Sequence, residues 1–486
     1  MNIGVLVLIS CQQNHTINLN LIMRLNLKSI TSVGSARLSL TEKIGYSFGD
    51  VASCIFFQSF MLYLLYFYTD VFGITAAAAG TMFLVTRIWD SANDPLMGIL
   101  GDRTNTRWGK FRPYLLWMAL PFGIVGVLTF STPDLSLQGK IIYAYITYSL
   151  MMMVYTAINL PYSALLGVIT SDPQERTTLS SYKFIGAFGG GLLIQFFTLP
   201  LVERFGGGDE AVGFQHTMML YAVIAVVLFL ITFLLTRERV KPPVAQKTPI
   251  RTDLKDLIKN KPWMVMFLLG VFTLASVSIK GASTMYYFIY YVEDKSLVKW
   301  FFTAGTLAVI VGILLVDRIA RRYGKKKTYM WLMILTFVFT LPFYFLGPEQ
   351  VVWMFVLQIL GSVTMGPTSP LVWAMYADVA DYSEWKTGRR ATGLIFSAGS
   401  FAQKMGWTIG GAVSGWILAL YHYEAGAEQT VETLKGIRYM MSIYPAIGAL
   451  LAAVAVTMYR IDEKLVSRIE TELKERRLID AKSCPK

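Results

Sequence analysis

The chain has 486 residues, 54% of them hydrophobic and 15% charged, with a net charge of +13. Soluble globular chains carry roughly 25% charged residues, so this composition excludes an ordinary water-soluble domain. Three cysteines, Cys11, Cys54 and Cys484, are too few and too scattered for a disulfide framework or a Cys-based metal cluster. No resident cofactor is expected.

In chain order, residues 1–40 read as an N-terminal extension. Ile3–Ser10 is apolar but too short to span a bilayer, and Leu8-Ile9-Ser10-Cys11 only superficially resembles a lipoprotein cleavage box. The extension is expected to be disordered, or to precede a functional start near Met23 or later. Beyond it the apolar residues come in runs of about twenty, the length that crosses a hydrocarbon core. Spans are predicted at 44–68, 79–101, 112–130, 139–163, 179–202 and 215–236. Six more follow at 263–290, 298–316, 328–346, 350–375, 391–420 and 437–460. The expected fold class is an all-α membrane protein of twelve transmembrane helices in two six-helix pseudo-repeats, 41–236 and 263–460. The connecting stretch, 237–262, holds eight Lys or Arg together with Pro242, Pro243 and Pro249 and reads as a cytoplasmic linker. Residues 461–486 are left as a cytoplasmic tail.

Basic residues cluster on one side of this scheme. The loop Gly101–Pro113 holds Arg103, Arg107, Lys110 and Arg112, and the predicted loop Asp317–Lys327 holds six basic residues. The loops Tyr68–Ala79 and Gly347–Val351 hold none. The positive-inside bias then places both termini and the linker in the cytoplasm. The positive charge is topological, so the partners expected are membrane lipid and a small solute, and no nucleic acid. The two basic loops also echo each other. Gly98-Ile-Leu-Gly-Asp102-Arg103 with Trp108-Gly109-Lys110 is matched by Gly312-Ile-Leu-Leu-Val-Asp317-Arg318 with Tyr323-Gly324-Lys325. Two parallel repeats of this kind suit a transporter whose halves rock about a central site.

Ionisable side chains inside a bilayer are costly, so each is a candidate for function. Arg87-Ile-Trp89-Asp90-Ser-Ala-Asn93-Asp94-Pro95 lies in the second span. Asp90 and Asp94, four residues apart, share a helical face and make an oxygen site for a sodium ion or a proton, with Asn93 as a neutral ligand. Asp50 adds an acid on the first span. Lys183, Lys280 and Lys404 are isolated cations on the fifth, seventh and eleventh spans. Tyr155 and Trp373 have polar neighbours and offer aromatic faces for a sugar ring. The three histidines, His15, His216 and His422, are read as lying in the extension or in loops, and neither a Ser-His pairing nor a phosphate loop is present, so an enzyme is not expected.

From about Leu40 to Arg468 the sequence resembles the glycoside-pentoside-hexuronide cation symporters of the major facilitator superfamily, a family that includes the melibiose permease. The resemblance rests on Tyr68-Thr-Asp70-Val-Phe-Gly73, Arg87 to Pro95, Arg107-Trp-Gly-Lys110-Phe-Arg-Pro113, Asn159-Leu-Pro161-Tyr162 and Ala377-Asp378-Val-Ala-Asp381-Tyr-Ser-Glu384-Trp-Lys386-Thr-Gly388. It implies that Asp90 and Asp94 bind the coupling cation. Cys54 stands where the melibiose permease has a third aspartate, with Asp50 one turn away. It implies further that Asn159, Lys183 (by an alignment with a one-residue gap) and Lys404 face the sugar, with Ser163 replacing an aromatic. Asn159 in place of an acid argues against an α-galactoside and makes a uronide plausible beside a neutral xyloside or glucoside. Asp378, Asp381, Glu384, Arg389 and Arg390 are implied as a gating cluster at the cytoplasmic mouth. The resemblance therefore implies sodium- or proton-coupled uptake of a glycoside, pentoside or hexuronide by a monomer in a bacterial inner membrane. A lysophospholipid carrier of the same superfamily is the alternative.

Overall fold

The computed structural model describes residues 38–170, 172–239, 260–387 and 392–483. The apolar runs form helices throughout. The first half holds α1 (Leu40–Tyr66), α2 (Ala76–Arg103), α3 (Arg112–Thr129), α4 (Leu137–Ile169), α5 (Pro173–Gly206) and α6 (Glu210–Leu235). The second holds α7 (Lys261–Tyr286), α8 (Leu297–Tyr323), α9 (Lys325–Thr340), α10 (Val351–Met365), α11 (Thr368–Thr387), α12 (Thr392–Leu420), α13 (Val431–Met441), α14 (Ile443–Thr457) and α15 (Glu463–Ser483). Nine helical stretches among the described residues are long and apolar enough to cross a membrane. Of the helices outside that set, α9 is short, while α2 and α12 carry polar residues of the candidate site.

The tenth predicted span is two helices, α10 and α11, broken at Gly366-Pro367, where proline has no N–H for the helical ladder. The twelfth is likewise α13 and α14, interrupted at Ser442. Helices also outrun the hydrophobic runs at the basic end. Most of the predicted loop Asp317–Lys327 is helix: α8 continues to Tyr323, turns at Gly324 and restarts as α9 at Lys325. His216, read as a loop residue, lies inside α6 against the Phe205 ring. The tail folds as α15, tied to α11 by the Trp385 indole donating to Glu472 at 2.6 Å. The extension up to Arg37, residues 240–259 of the linker, and Arg389 and Arg390 lie outside the described residues.

The two halves repeat in detail. α1 ends in a π turn, Phe67–Val71, and α7 in another, Tyr287–Tyr291. In each, matched backbone bonds close the turn: Phe72 to Phe67 and Ile74 to Tyr68, then Val292 to Tyr287 and Asp294 to Phe288. At the basic end Glu238 accepts from the backbone N–H of Lys110, Phe111 and Arg112 at 2.7 to 2.9 Å. Glu463 does the same for Lys325 at 2.6 Å. Gly109 and Gly324 have positive φ, 113° and 83°, and a Cβ on either would run into that carboxylate. The repeat seen in the two basic loops is therefore a repeated turn with an acid from just beyond the last spanning helix of each half, Glu238 after α6 and Glu463 after α14, folded over it.

Contacts between the halves run along α2 with α12, α1 with α7 and α5 with α8. Small residues permit the closest approach. A Cβ on Gly80 of α2 would sit 2.7 Å from the Ala412 carbonyl of α12. Large apolar side chains, among them Leu120, Ile146, Val223, Leu234, Leu314 and Val352, point outward from the bundle. Such an apolar exterior is stable only against lipid tails.

Candidate functional site

Asp90 is the centre of the polar interior. It is 3% exposed, on the fourth turn of α2, where it accepts a hydrogen bond from Thr156 of α4 at 2.9 Å. Arg87, three residues earlier on the same face, approaches to 3.8 Å, and Lys404 of α12 reaches it from the other half at 3.3 Å. An acid, an arginine and a lysine thus meet in the membrane interior across the boundary of the two halves. Asn93 lies three residues further along α2 and is half-buried. Asp94 belongs to the same helix, and its side chain lies outside the described residues.

Asp50 of α1 faces Lys183 of α5 at 3.8 Å. The ammonium of Lys183 also lies over the Tyr162 ring, 5.3 Å from its centroid. Tyr162 is fixed by stacking on Tyr46 at 4.8 Å and by donating to the Tyr46 carbonyl at 2.8 Å. Cys54, one turn from Asp50, is a free, half-buried thiol. On α4, Tyr155 stacks on Phe57 at 6.1 Å, and Phe57 meets Trp407 edge-on at 6.0 Å. Asn159 follows one turn later and is half-buried.

A cavity of about 270 Å³ opens beside this cluster, mainly within the second half. Trp407, one turn from Lys404, lines both this cavity and a 30 Å³ void that touches Arg87. Lys280 of α7 lines the cavity from another side, its ammonium 4.8 Å from the Phe343 ring centroid. Gln195 of α5 accepts from Thr306 of α8 at 2.7 Å on the cavity wall. Trp373 packs against Tyr376 at 5.8 Å, in the second-half core rather than at this cavity.

At the basic end, both oxygens of Asp378 accept from Lys325 at 2.7 Å, a pair inside the second half. Asp381 and Glu384 are half-buried on the same helix, α11. At the opposite end a dense network joins the halves. Asp70 in the first π turn accepts from Tyr290 of the second, from Tyr423 at 2.5 Å and from Thr69 at 2.6 Å. Thr69 in turn shares a 2.8 Å bond with Tyr286. Lys295 pairs with Glu210, which also accepts from Tyr66 at 2.9 Å. Burial, then the Asp70 charge, hold the Tyr423 hydroxyl far above the ordinary phenol range, so it remains a donor.

Sequence reasoning left Asp70, Glu210, Lys295, Tyr290 and Tyr423 without a role. A signal was present: aligning the two π turns sets Tyr66-Phe-Tyr-Thr-Asp70 against Tyr286-Tyr-Phe-Ile-Tyr290, an acid opposite a phenol at the equivalent place.

Comparison with known proteins agrees with this geometry. The family model described as MFS/sugar transport protein matches residues 45–463. The chain belongs to that family. YagG of Escherichia coli (strain K12), whose name describes a glycoside/cation symporter, is 40% identical over 450 residues, 92% of this chain and 98% of that protein. The isoprimeverose transporter of Lactiplantibacillus pentosus is 39% identical over 430 residues, 87% of this chain and 89% of its own length. The crystal structure of the nucleoside transporter NupG superposes with a TM-score of 0.59 at 16% identity, covering 87% of this chain and all of that one, and establishes the fold alone. This MFS sugar transporter is therefore a multi-pass membrane protein of the major facilitator fold, a cation-coupled sugar symporter and no enzyme. The lipid-carrier alternative is not favoured, since the relatives are sugar symporters.

Proposed function

We propose that the protein imports a small glycoside, pentoside or hexuronide across a bacterial inner membrane, driven by sodium or protons, as a monomer with both termini in the cytoplasm. The single observation that carries this reading is the Asp90–Lys404 contact, an acid–base pair between the two halves next to a largely apolar cavity with a few polar groups in its wall. Residues 41–236 and 263–460 act as the two rocking domains, with 237–262 as their tether.

The coupling cation binds at Asp90 and Asp94 with help from Asn93, while Asp50 and Cys54 border the site. A cation there competes with Lys404 for the Asp90 carboxylate. Once displaced, Lys404 turns to the substrate, so cation and sugar raise each other's affinity by the same factor. Asn159, Lys183, Tyr155 and Lys280 supply hydrogen bonds, charge and an aromatic face around the sugar; Trp373 acts by supporting α11. With the basic end cytoplasmic, the Asp70 and Glu210 networks seal the outside. Asp378, Asp381, Glu384, Arg389 and Arg390 act in gating at that inner mouth, with Lys325 as the present partner of Asp378.

The test is initial uptake of neutral and anionic glycosides into proteoliposomes under a sodium gradient, a proton gradient or neither. Gradient-dependent uptake of one class supports the reading and names the cation. Absence of glycoside uptake under either gradient overturns it.

A further inference from the structure

Lys280 is a half-buried lysine on α7 that lines the central cavity with an unusual set of surroundings. Among the described residues no carboxylate comes within 4.0 Å of it, and its recorded partner is the Phe343 ring. A cation enclosed in a membrane-spanning bundle costs more than a single ring contact returns. Its neighbour across the same cavity, Gln358 of α10, has a buried carbonyl oxygen without a hydrogen-bond partner. A lysine without a carboxylate and a glutamine whose oxygen lacks a donor therefore stand in the wall of one cavity. Away from the helix ends, Arg87, Lys183, Lys280 and Lys404 stand against Asp50, Asp90 and Asp94 in α1, α2, α5, α7 and α12, and a bound coupling cation adds further positive charge. The balance favours a solute that carries a negative charge. At about 270 Å³ the space lies just under the ~300–1,000 Å³ range of small-molecule pockets, enough for one pyranose ring.

We propose that Lys280 and Gln358 form a subsite for an acidic monosaccharide unit, Lys280 holding its carboxylate and Gln358 accepting one of its hydroxyls. This deepens the sugar-symport reading and rests on it. The natural substrate is then a sugar acid or uronide, and Lys280 is the residue that sets specificity for charge.

The probes are methyl glucuronide and its uncharged amide, which differ only in the charge of one group, with binding to the purified full-length protein measured by calorimetry. The native protein should bind the uronide about 10- to 100-fold more tightly than the amide, the value of one charge-assisted hydrogen bond. Lys280→Met should erase that difference by weakening uronide binding more than amide binding, whereas Lys280→Arg should keep most of it. Equal affinity of the native protein for both probes overturns the proposal, and that comparison needs no variant to fold. A loss in Lys280→Met that is equal for both probes also overturns it, because it identifies a packing role. In either case uptake of neutral xylosides and glucosides under a gradient leaves sugar symport standing. If neither probe binds and no glycoside accumulates, the symport reading falls and the subsite with it.

Discussion

With the proposed orientation, in which the end opposite the basic loops faces outward, the outer network and the central cluster are both made of acids held between the two halves, yet they are built differently. Asp70 is saturated by hydroxyl donors at 2.5 to 2.6 Å from Tyr423 and Thr69, with Tyr290 beside them. Asp90 has one such bond, from Thr156, and two cations at the longer distances of 3.3 and 3.8 Å. Short bonds from neutral donors fix a position, while loosely held charges can exchange partners. The contrast teaches that this conformation is locked at its outer end and kept slack in its middle, as expected where a mobile cation must enter and leave.

The sharpest way to break the comparison is Asp90→Asn. Removing the carboxylate takes one counter-charge from both Lys404 and Arg87, and loss of one member of a buried pair costs about 3–5 kcal/mol. Gradient-driven accumulation of sugar in proteoliposomes should fall by about 100-fold, to the rate seen without a gradient. Accumulation at the native level would remove Asp90 from coupling. Lys404→Met should cost less, roughly tenfold in gradient stimulation, because a cation at Asp90 then meets one competitor fewer but the link across the halves is lost. Stability of Asp90→Asn, Lys404→Met and the double variant, measured in detergent, should yield an interaction of about 0.5–3 kcal/mol. Additive effects would show that the 3.3 Å contact carries no energy.

Asp70→Asn tests the other side of the contrast. Hydrogen bonds to a charged acceptor are worth about 1.5–3 kcal/mol, so neutralising Asp70 should raise the outward-open population about tenfold. The readout is modification of Cys54, a native thiol on α1, by a membrane-impermeant reagent applied from outside and followed on the Cys54 peptide. An unchanged rate would mean that the outer seal rests on apolar packing and on Glu210–Lys295 instead.

Much of this was legible in the sequence because bilayer physics constrains it tightly. Hydrophobic run length located the helices, and the intramembrane charges drew attention to Asp90 and Lys404, which meet at 3.3 Å, to Lys183, which faces Asp50, and to Lys280, which lines the cavity. Helix ends were less legible at the basic end, where α8 and α11 continue as polar helices beyond the hydrocarbon and hydropathy has no purchase. The outer network was missed for a related reason. Its members are tyrosines and acids at helix termini, where aromatic belts and solvated charges are ordinary, and only pairing across more than 200 residues distinguishes Asp70 from a solvated carboxylate. Glu238 and Glu463 were hidden likewise, since an acid after a helix acquires meaning only when the turn it caps is folded beneath it.

The smallest effect expected is that of Tyr423→Phe, and it is the most discriminating. The substitution preserves the ring that stands edge-on to Tyr286 at 5.2 Å and removes only the hydroxyl that reaches Asp70. Asp70 keeps Tyr290 and Thr69, so the net cost should be about 1 kcal/mol, or roughly fivefold in Cys54 labelling from outside, below the change in Asp70→Asn. If the seal is a network sharing one acceptor, removing a donor must always do less than removing the acceptor. Equal effects would mean that the loop carrying Tyr423, not the carboxylate, holds the halves together, and the outer end would then be as slack as the centre.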